Sequence, residues 1–161
     1  MKNVLELLER TAARLPRQTA FADQQCSYDY QTVVNIAESV GSALAANGDR
    51  NCPVAVLMER GAPCLVTLMG VLYSGNFYVV LDPEMPAERV NKILRTLQPT
   101  ALICDEAHKD DPAGLDYDGK VYSAEALAAG QAQPELLQTV RRRMIDTDPA
   151  YAIFTSGSTG N

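Results

Sequence analysis

Four short apolar runs, 53–58, 77–81, 100–104 and 150–154, are separated by stretches whose apolar residues recur at helical spacing. A strand buried on both faces reads as a continuous apolar run, and parallel neighbours need a crossover of a dozen residues or more between them. The alternation therefore predicts an α/β fold with a parallel sheet flanked by helices. The first helix carries Val4, Leu5, Leu8, Ala12 and Leu15 on one face and ends at Pro16. Two short strands, Thr19 to Ala22 and Cys26 to Tyr28, follow around a polar turn. Helices are expected over Asp29 to Ala46, closed by Asn47-Gly48, over Ala62 to Tyr73 with Pro63 in the first turn, and over 86–97 starting at Pro86. An acidic loop after Cys104, a strand near Val121 and a short helix from Ala124 to Ala129 complete the pattern. The polar region beyond reads as loop, with Arg141, Arg142 and Arg143 as a solvated face.

A chain of 161 residues has the length of one domain, and 47% hydrophobic content is enough for a packed core. A net charge of −6 argues against a nucleic-acid surface and against anionic lipid. It leaves nucleotide binding open, because loop dipoles and a bound cation act locally. Cys26, Cys52, Cys64 and Cys104 form no C-x-x-C pair and sit in or beside apolar stretches, as buried thiols of a reducing compartment would. Met1 to Leu15 is amphipathic and carries Glu6 and Glu9, unlike a secretory signal, and no segment is long enough to cross a bilayer. A cytoplasmic protein with no metal site, no nucleic-acid partner and no membrane partner is expected.

The last run, Tyr151 to Phe154, reads as a buried strand that empties into Thr155, Ser156, Gly157, Ser158, Thr159 and Gly160. Such a loop can turn sharply, bring backbone N–H groups to an anion and add four hydroxyl donors. A polar tail has a similar composition, but a linker would not begin directly off a buried strand. The six residues resemble the phosphate loop T-S-G-S-T-G-x-P-K-G of the adenylate-forming enzymes, the superfamily of amino-acid adenylation domains, acyl-CoA synthetases and luciferases. Asn161 holds the variable position, and the chain stops before Pro-Lys-Gly. Residues 68–90 are similar to a second signature, L-K-A-G-x-A-Y-V-P-L-D-P-x-x-P-x-x-R. Gly75, Leu81, Asp82, Pro83, Pro86 and Arg89 match it at the same spacing, while Tyr73-Ser74 and Val80 depart from it. Ser27-Tyr28-Asp29-Tyr30 resembles the T-Y-x-E-L entry to an early helix, with Tyr30 in place of Glu.

The resemblance runs in order over essentially the whole chain and is strongest for amino-acid adenylation domains and D-alanine:carrier-protein ligases. It implies the N-terminal portion of the large subdomain, with 1–161 a partial adenylation domain cut inside its phosphate loop. It further implies an intact ligase that uses ATP and Mg²⁺ to activate a carboxylic acid, expected to be an amino acid. The acyl-adenylate then passes to a pantetheine thiol of a carrier protein or coenzyme A. Thr155 to Gly160 would hold the β- and γ-phosphates, whereas Asp82, Pro83, Pro86 and Arg89 would shape the scaffold. No catalytic residue is expected within 1–161, so the fragment alone should be inactive. The alternatives are an acyl-CoA synthetase-type member and a non-catalytic remnant that serves as an interaction module.

A different class is spelled by Asp105-Glu106-Ala107-His108 after an apolar run, with G-x-x-x-x-G-K at Gly114 to Lys120. Three features oppose a P-loop NTPase. Val121 stands where a hydroxyl must hold Mg²⁺, Asp116 and Asp118 would face phosphate, and the lysine loop follows the acidic strand instead of preceding it. His108 is then a loop residue without a nucleophile to serve.

Overall fold

The computed structural model describes residues 3–154. In chain order it contains α1 (Leu5–Arg14), β1 (Thr19–Ala22), β2 (Ser27–Asp29), α2 (Tyr30–Ala45), β3 (Pro53–Leu57) and α3 (Ala62–Tyr73). Then follow β4 (Phe77–Leu81), α4 (Ala87–Leu97), β5 (Ala101–Cys104), β6 (Lys120–Ser123), α5 (Ala124–Ala128) and α6 (Pro134–Arg143). β1 and β2 form an antiparallel hairpin, and the other four strands form a wholly parallel sheet in the order β4-β3-β5-β6. The expected α/β fold with a helix-flanked parallel sheet is the fold observed.

The register explains why the two central strands, β3 and β5, carry no polar face. Ala55 lies between Val79 and Leu102, and with Leu57 and Leu81 this face packs on Val90, Ile93 and Leu94 of α4. Val54, Val56, Ala101 and Ile103 point the other way, onto Val40 and Leu44 of α2 and Leu68 and Val71 of α3. Both faces are covered, as a parallel sheet requires. A third apolar cluster lies among the helices, joining Leu5 and Leu8 of α1, Val33 and Ala37 of α2, Tyr73 of α3, and Leu137 and Met144 at α6.

Side chains set the helix ends. Asp29 caps α2 by accepting from the Thr32 N–H at 2.8 Å. Gly61, ahead of α3, has no side chain to cap with, and Asp23 supplies the acceptor from the β1–β2 turn. Its Oδ2 takes the Ala62 N–H at 2.8 Å, while Oδ1 takes the N–H groups of Gln25 at 2.7 Å and Cys26 at 2.8 Å. One carboxylate thus closes the hairpin turn and docks it on the positive end of a buried helix. These bonds, led by the one from Ala62, hold the Asp23 carboxyl down at about 2.

α2 and α3 approach so closely that only hydrogen fits between them. A Cβ on Gly70 would stand 2.4 Å from the Val40 Cβ, and one on Gly41 would stand 2.5 Å from the Tyr73 Cβ.

Several expectations need correction. The polar region contains α6, whose Leu137 and Val140 pack inward. Arg141 is not a solvated residue beside a loop: it pairs with Glu9, bonds the Asn3 Oδ1 at 2.9 Å and lies 5.4 Å over the Tyr73 ring. The 150–154 run is neither a regular strand nor fully buried. Tyr151 makes a single parallel bridge to Tyr78 at the sheet edge, and Tyr151 and Ile153 are 56% and 73% exposed because nothing described covers their outer side. The four cysteines are free, but only Cys64 and Cys104 are buried, the latter's thiol pushed up to about 12 mainly by burial. Cys26 lies in the hairpin turn and Cys52 ahead of β3, where exposed backbone flanks them.

Gly70→Ala is expected to lower the unfolding free energy by about 2 kcal/mol or more through overpacking. Gly114→Ala, where an added Cβ meets nothing within 4 Å, should change it by less than about 0.5 kcal/mol. Urea titration compares the two. Because the Asp23 carboxyl is lowered from 3.8 to about 2 on folding, its contribution is present above pH 3.8 and is lost as pH falls through about 2. Asp23→Asn should therefore flatten the decline in urea midpoint across that interval and lower the midpoint at neutral pH.

Candidate functional site

All four parallel strands end at one edge of the sheet, where open α/β folds bind their ligands. β3 runs out into Met58-Glu59-Arg60-Gly61, β4 into Asp82-Pro83, and β5 into Asp105. Asp105 ties two of these exits together. Its Oδ2 accepts the Glu59 N–H at 2.8 Å, and its Oδ1 accepts the His108 N–H at 3.1 Å and lies 2.6 Å from His108 Nδ1. The D-E-A-H segment is thus a capped 3₁₀ turn with a structural aspartate. The bond to Asp105 holds the His108 imidazole above its usual range, and Glu59 lies 3.5 Å from its other nitrogen. Lys120, the lysine of the G-x-x-x-x-G-K run, opens β6 and donates to Asn47 Oδ1 at 2.6 Å, so it cradles no phosphate.

A cleft of about 460 Å³ sits over this edge, lined in part by Asp23, Cys26, Glu59, Arg60, Asp105 and Glu125. Its carboxylates are largely engaged by protein donors: Glu125 takes the Glu106 N–H and the Ser123 hydroxyl at 3.0 and 3.1 Å. Four carboxylates against one arginine make this cleft unsuited to a polyphosphate. Arg60 itself pairs with Asp82. Asp82 also accepts the Glu84 N–H at 3.0 Å, Pro86 opens α4, and Arg89 is exposed on that helix.

The segment that carries the candidate loop reaches the same edge from α6. Asp148 anchors it: Oδ2 accepts from the Ile145 N–H at 3.0 Å and Arg50 Nη2 at 3.1 Å, and Oδ1 accepts from Asn51 Nδ2 at 3.0 Å. Burial works against this carboxylate, yet the three donors outweigh it and hold its pKa below the usual value. Arg50 also donates to the Arg143 carbonyl. Pro149 follows, and Tyr78 then takes over: its N–H donates to the Ala150 carbonyl at 3.2 Å, and its carbonyl accepts the Ala152 N–H at 3.1 Å. The rings of Tyr78 and Tyr151 stack with centroids 6.0 Å apart. The bridge is parallel, so the stretch at Tyr151 runs in the direction of β4.

Thr155, Ser156, Gly157, Ser158, Thr159 and Gly160 lie outside the described residues. The described residues ahead of them make one parallel bridge to β4, beside an apolar groove of about 350 Å³ lined by Tyr78, Val80, Met85, Ile93, Tyr151 and Phe154. Sequence reasoning gives Arg50, Asn51 and Asp148 no role. The one cue to them is Asp148-Pro149, a turn signal directly ahead of an apolar run. Among the described residues no three His, Cys, Asp or Glu side chains gather as a metal site, and no helix is long and apolar enough to cross a membrane.

Comparison with known proteins agrees with this layout. Bacitracin synthase 3 of Bacillus licheniformis is 28% identical over 162 residues, covering 99% of this chain and 2% of the relative. Pyochelin synthetase PchF of Pseudomonas aeruginosa is 35% identical over 146 residues, covering 90% and 8%. Among solved structures, VinN superposes with a TM-score of 0.78 at 21% identity, over 96% of this chain and 42% of that one. The nonribosomal peptide synthetase FmoA3 gives 0.77 at 24% identity, over 94% and 16%. The chain thus spans less than half the length of each of these proteins. The model of the AMP-binding enzyme family matches residues 8–161, nearly the whole chain, and with the helix-flanked parallel sheet this shows that the chain belongs to the AMP-binding enzymes, the adenylate-forming superfamily.

Proposed function

We propose that these 161 residues are the N-terminal part of an adenylation domain, and that the intact protein activates an amino acid with ATP. The observation that carries this reading is the match of the AMP-binding family over residues 8–161, in a chain whose Tyr151 meets β4 by a parallel bridge. In the reaction a substrate carboxylate oxygen attacks the α-phosphorus of ATP. The bond from that phosphorus to the bridging oxygen breaks, and pyrophosphate leaves with the electron pair. A pantetheine thiolate then attacks the acyl carbonyl and AMP leaves. Preference for an amino acid and a carrier-protein thiol is supported by the peptide synthases among the relatives. FmoA3 has been solved with AMPPNP and with α-methyl-L-serine-AMP, ligands of the kinds this reaction requires.

Thr155 to Gly160 would contribute N–H and hydroxyl donors to the β- and γ-phosphates, charge that moves onto the departing pyrophosphate. Mg²⁺ is assigned to the nucleotide, since it commonly binds through substrate phosphates with few protein ligands. The four free thiols suit a cytoplasmic location.

Exchange of labelled pyrophosphate into ATP by the intact protein, run over a panel of amino, aryl and fatty acids, is expected to depend on an amino acid. Exchange driven by fatty acids alone would replace this reading with the acyl-CoA synthetase type, and exchange with none would sink it. Thr159→Ala is expected to slow the adenylation half-reaction by about 10²-fold, the scale for losing one donor to developing charge. Transfer from preformed adenylate to the thiol should change far less. Loss of the second step with the first intact would remove the loop from phosphate binding.

A further inference from the structure

Adjacent strand exits are tied to one another across the carboxyl edge. Arg60, after β3, pairs with Asp82, after β4. Asp105, after β5, accepts the Glu59 N–H of the β3 exit, and the Glu106 N–H reaches Glu125 on α5, directly after β6. Each of these ties joins an N–H or an arginine to a carboxylate, and none of them changes charge near neutral pH. His108 adds a link of a different kind. It is the only histidine of the chain, the residue type whose ordinary titration falls in that range.

The imidazole sits between two carboxylates carried by different strand exits. Nδ1 lies 2.6 Å from Asp105 Oδ1, and Nε2 lies 3.5 Å from Glu59 Oε1. The side chains of His108 and Asp105 are each 13% exposed, whereas that of Glu59 is 72% exposed. The inner contact is therefore the fixed one, and the outer one is free to break. A neutral imidazole has a single N–H, and the Asp105 carboxylate keeps it on Nδ1. Nε2 then turns a lone pair toward the Glu59 carboxylate. Only the imidazolium donates to both. The bond to Asp105 favours the charged ring most, burial opposes it, and the charges of Asp111, in the following turn, and Glu59 add to the effect of Asp105. The neighbours Glu106 and Lys109 pair with each other at 2.5 Å, and burial pushes the thiols of Cys64 and Cys104 up, so both stay neutral.

We propose that His108 is a pH-operated clasp between the β3 and β5 exits: the imidazolium holds the Glu59 side chain, and loss of the Nε2 proton to solvent releases Glu59 at the rim of the 460 Å³ cleft. Folding raises the imidazole above its ordinary value of 6.5, so the clasp is fully closed below pH 6.5 and is lost as pH rises through the folded-state value. Release leaves the Glu59 carboxylate uncompensated in a cleft that already carries those of Asp23, Asp105 and Glu125. The cleft therefore repels anions more strongly in its released state.

The test follows the His108 imidazole by NMR in the intact protein, its signals identified by their loss in His108→Gln, which keeps an N–H donor for Asp105. The titration midpoint is expected above 6.5. Glu59→Gln, at an exposed position that leaves the fold unchanged, should raise the proton dissociation constant of His108 by about twofold or more, the scale of a partly exposed ion pair. The amide signals of Glu59 and Arg60 should shift with the same midpoint as the imidazole, and His108→Gln should remove that step. A midpoint at or below 6.5 overturns the proposal. So does a dissociation constant unchanged in Glu59→Gln, which decides the matter even where His108→Gln fails to fold. Amide signals of Glu59 and Arg60 that ignore the titration overturn it as well, since a histidine with a purely local role would move its own signals alone.

Discussion

The close crossing of α2 and α3 is the contact on which the rest of the molecule is assembled. Gly41 and Gly70 let the two backbones meet, with Val40 and Tyr73 filling the space on either side. One flank of the pair carries Val40, Leu44, Leu68 and Val71 onto the sheet, and the other carries Val33, Ala37 and Tyr73 onto α1 and α6. Both apolar clusters therefore share one wall. Separating the helices by the width of a methyl group would loosen the sheet face and the helical cluster together, because close-packed interiors transmit a displacement.

Parallel strands then give the molecule a direction. Every strand exit lies on one edge, and that edge is divided electrostatically. Over β3, β5 and β6 the carboxylates of Asp105 and Glu125 are spent on local backbone and side-chain bonds, with Asp23 joining from the hairpin, while the Glu59 carboxylate lies 3.5 Å from His108. Beside β4 the groove is apolar, and the strand's own exit carries Asp82 paired with Arg60.

What could be read from the sequence divides along the same lines. β3 and β5 announce themselves because burial on both faces leaves no polar residue to break the apolar run, β4 reads the same although its Val80 is exposed, and Asp29, Pro63 and Pro86 mark helix starts by local chemistry. α6 is obscured by its polar composition: its inward face rests on Leu137 and Val140, and Arg141 finds Glu9 across 132 residues, which no local pattern foretells. The edge run reads as buried because aromatic and branched residues look alike in a core strand and a half-covered one. The loop itself is legible only as chemistry, a set of donors. The contacts of Asp148 with Arg50 and Asn51, ahead of the edge run, have no local pattern to announce them, because their meeting is a property of the fold.

Those contacts join residues 97 and 98 positions apart, whereas β3, α3 and β4 are neighbours in the chain. Contacts of short sequence separation form first, since closing a long loop costs more entropy before any contact rewards it. During synthesis the layer of α2, α3, β3 and β4 can therefore close before Asp148 has been made. The 145–154 segment arrives late, onto a finished surface. The converse holds for the folded molecule: releasing those contacts and two sheet bonds lets this segment open while the clusters on both sides of α2 and α3 stay largely packed. The 145–154 segment is thus joined to the rest of the molecule mainly by contacts of long sequence separation.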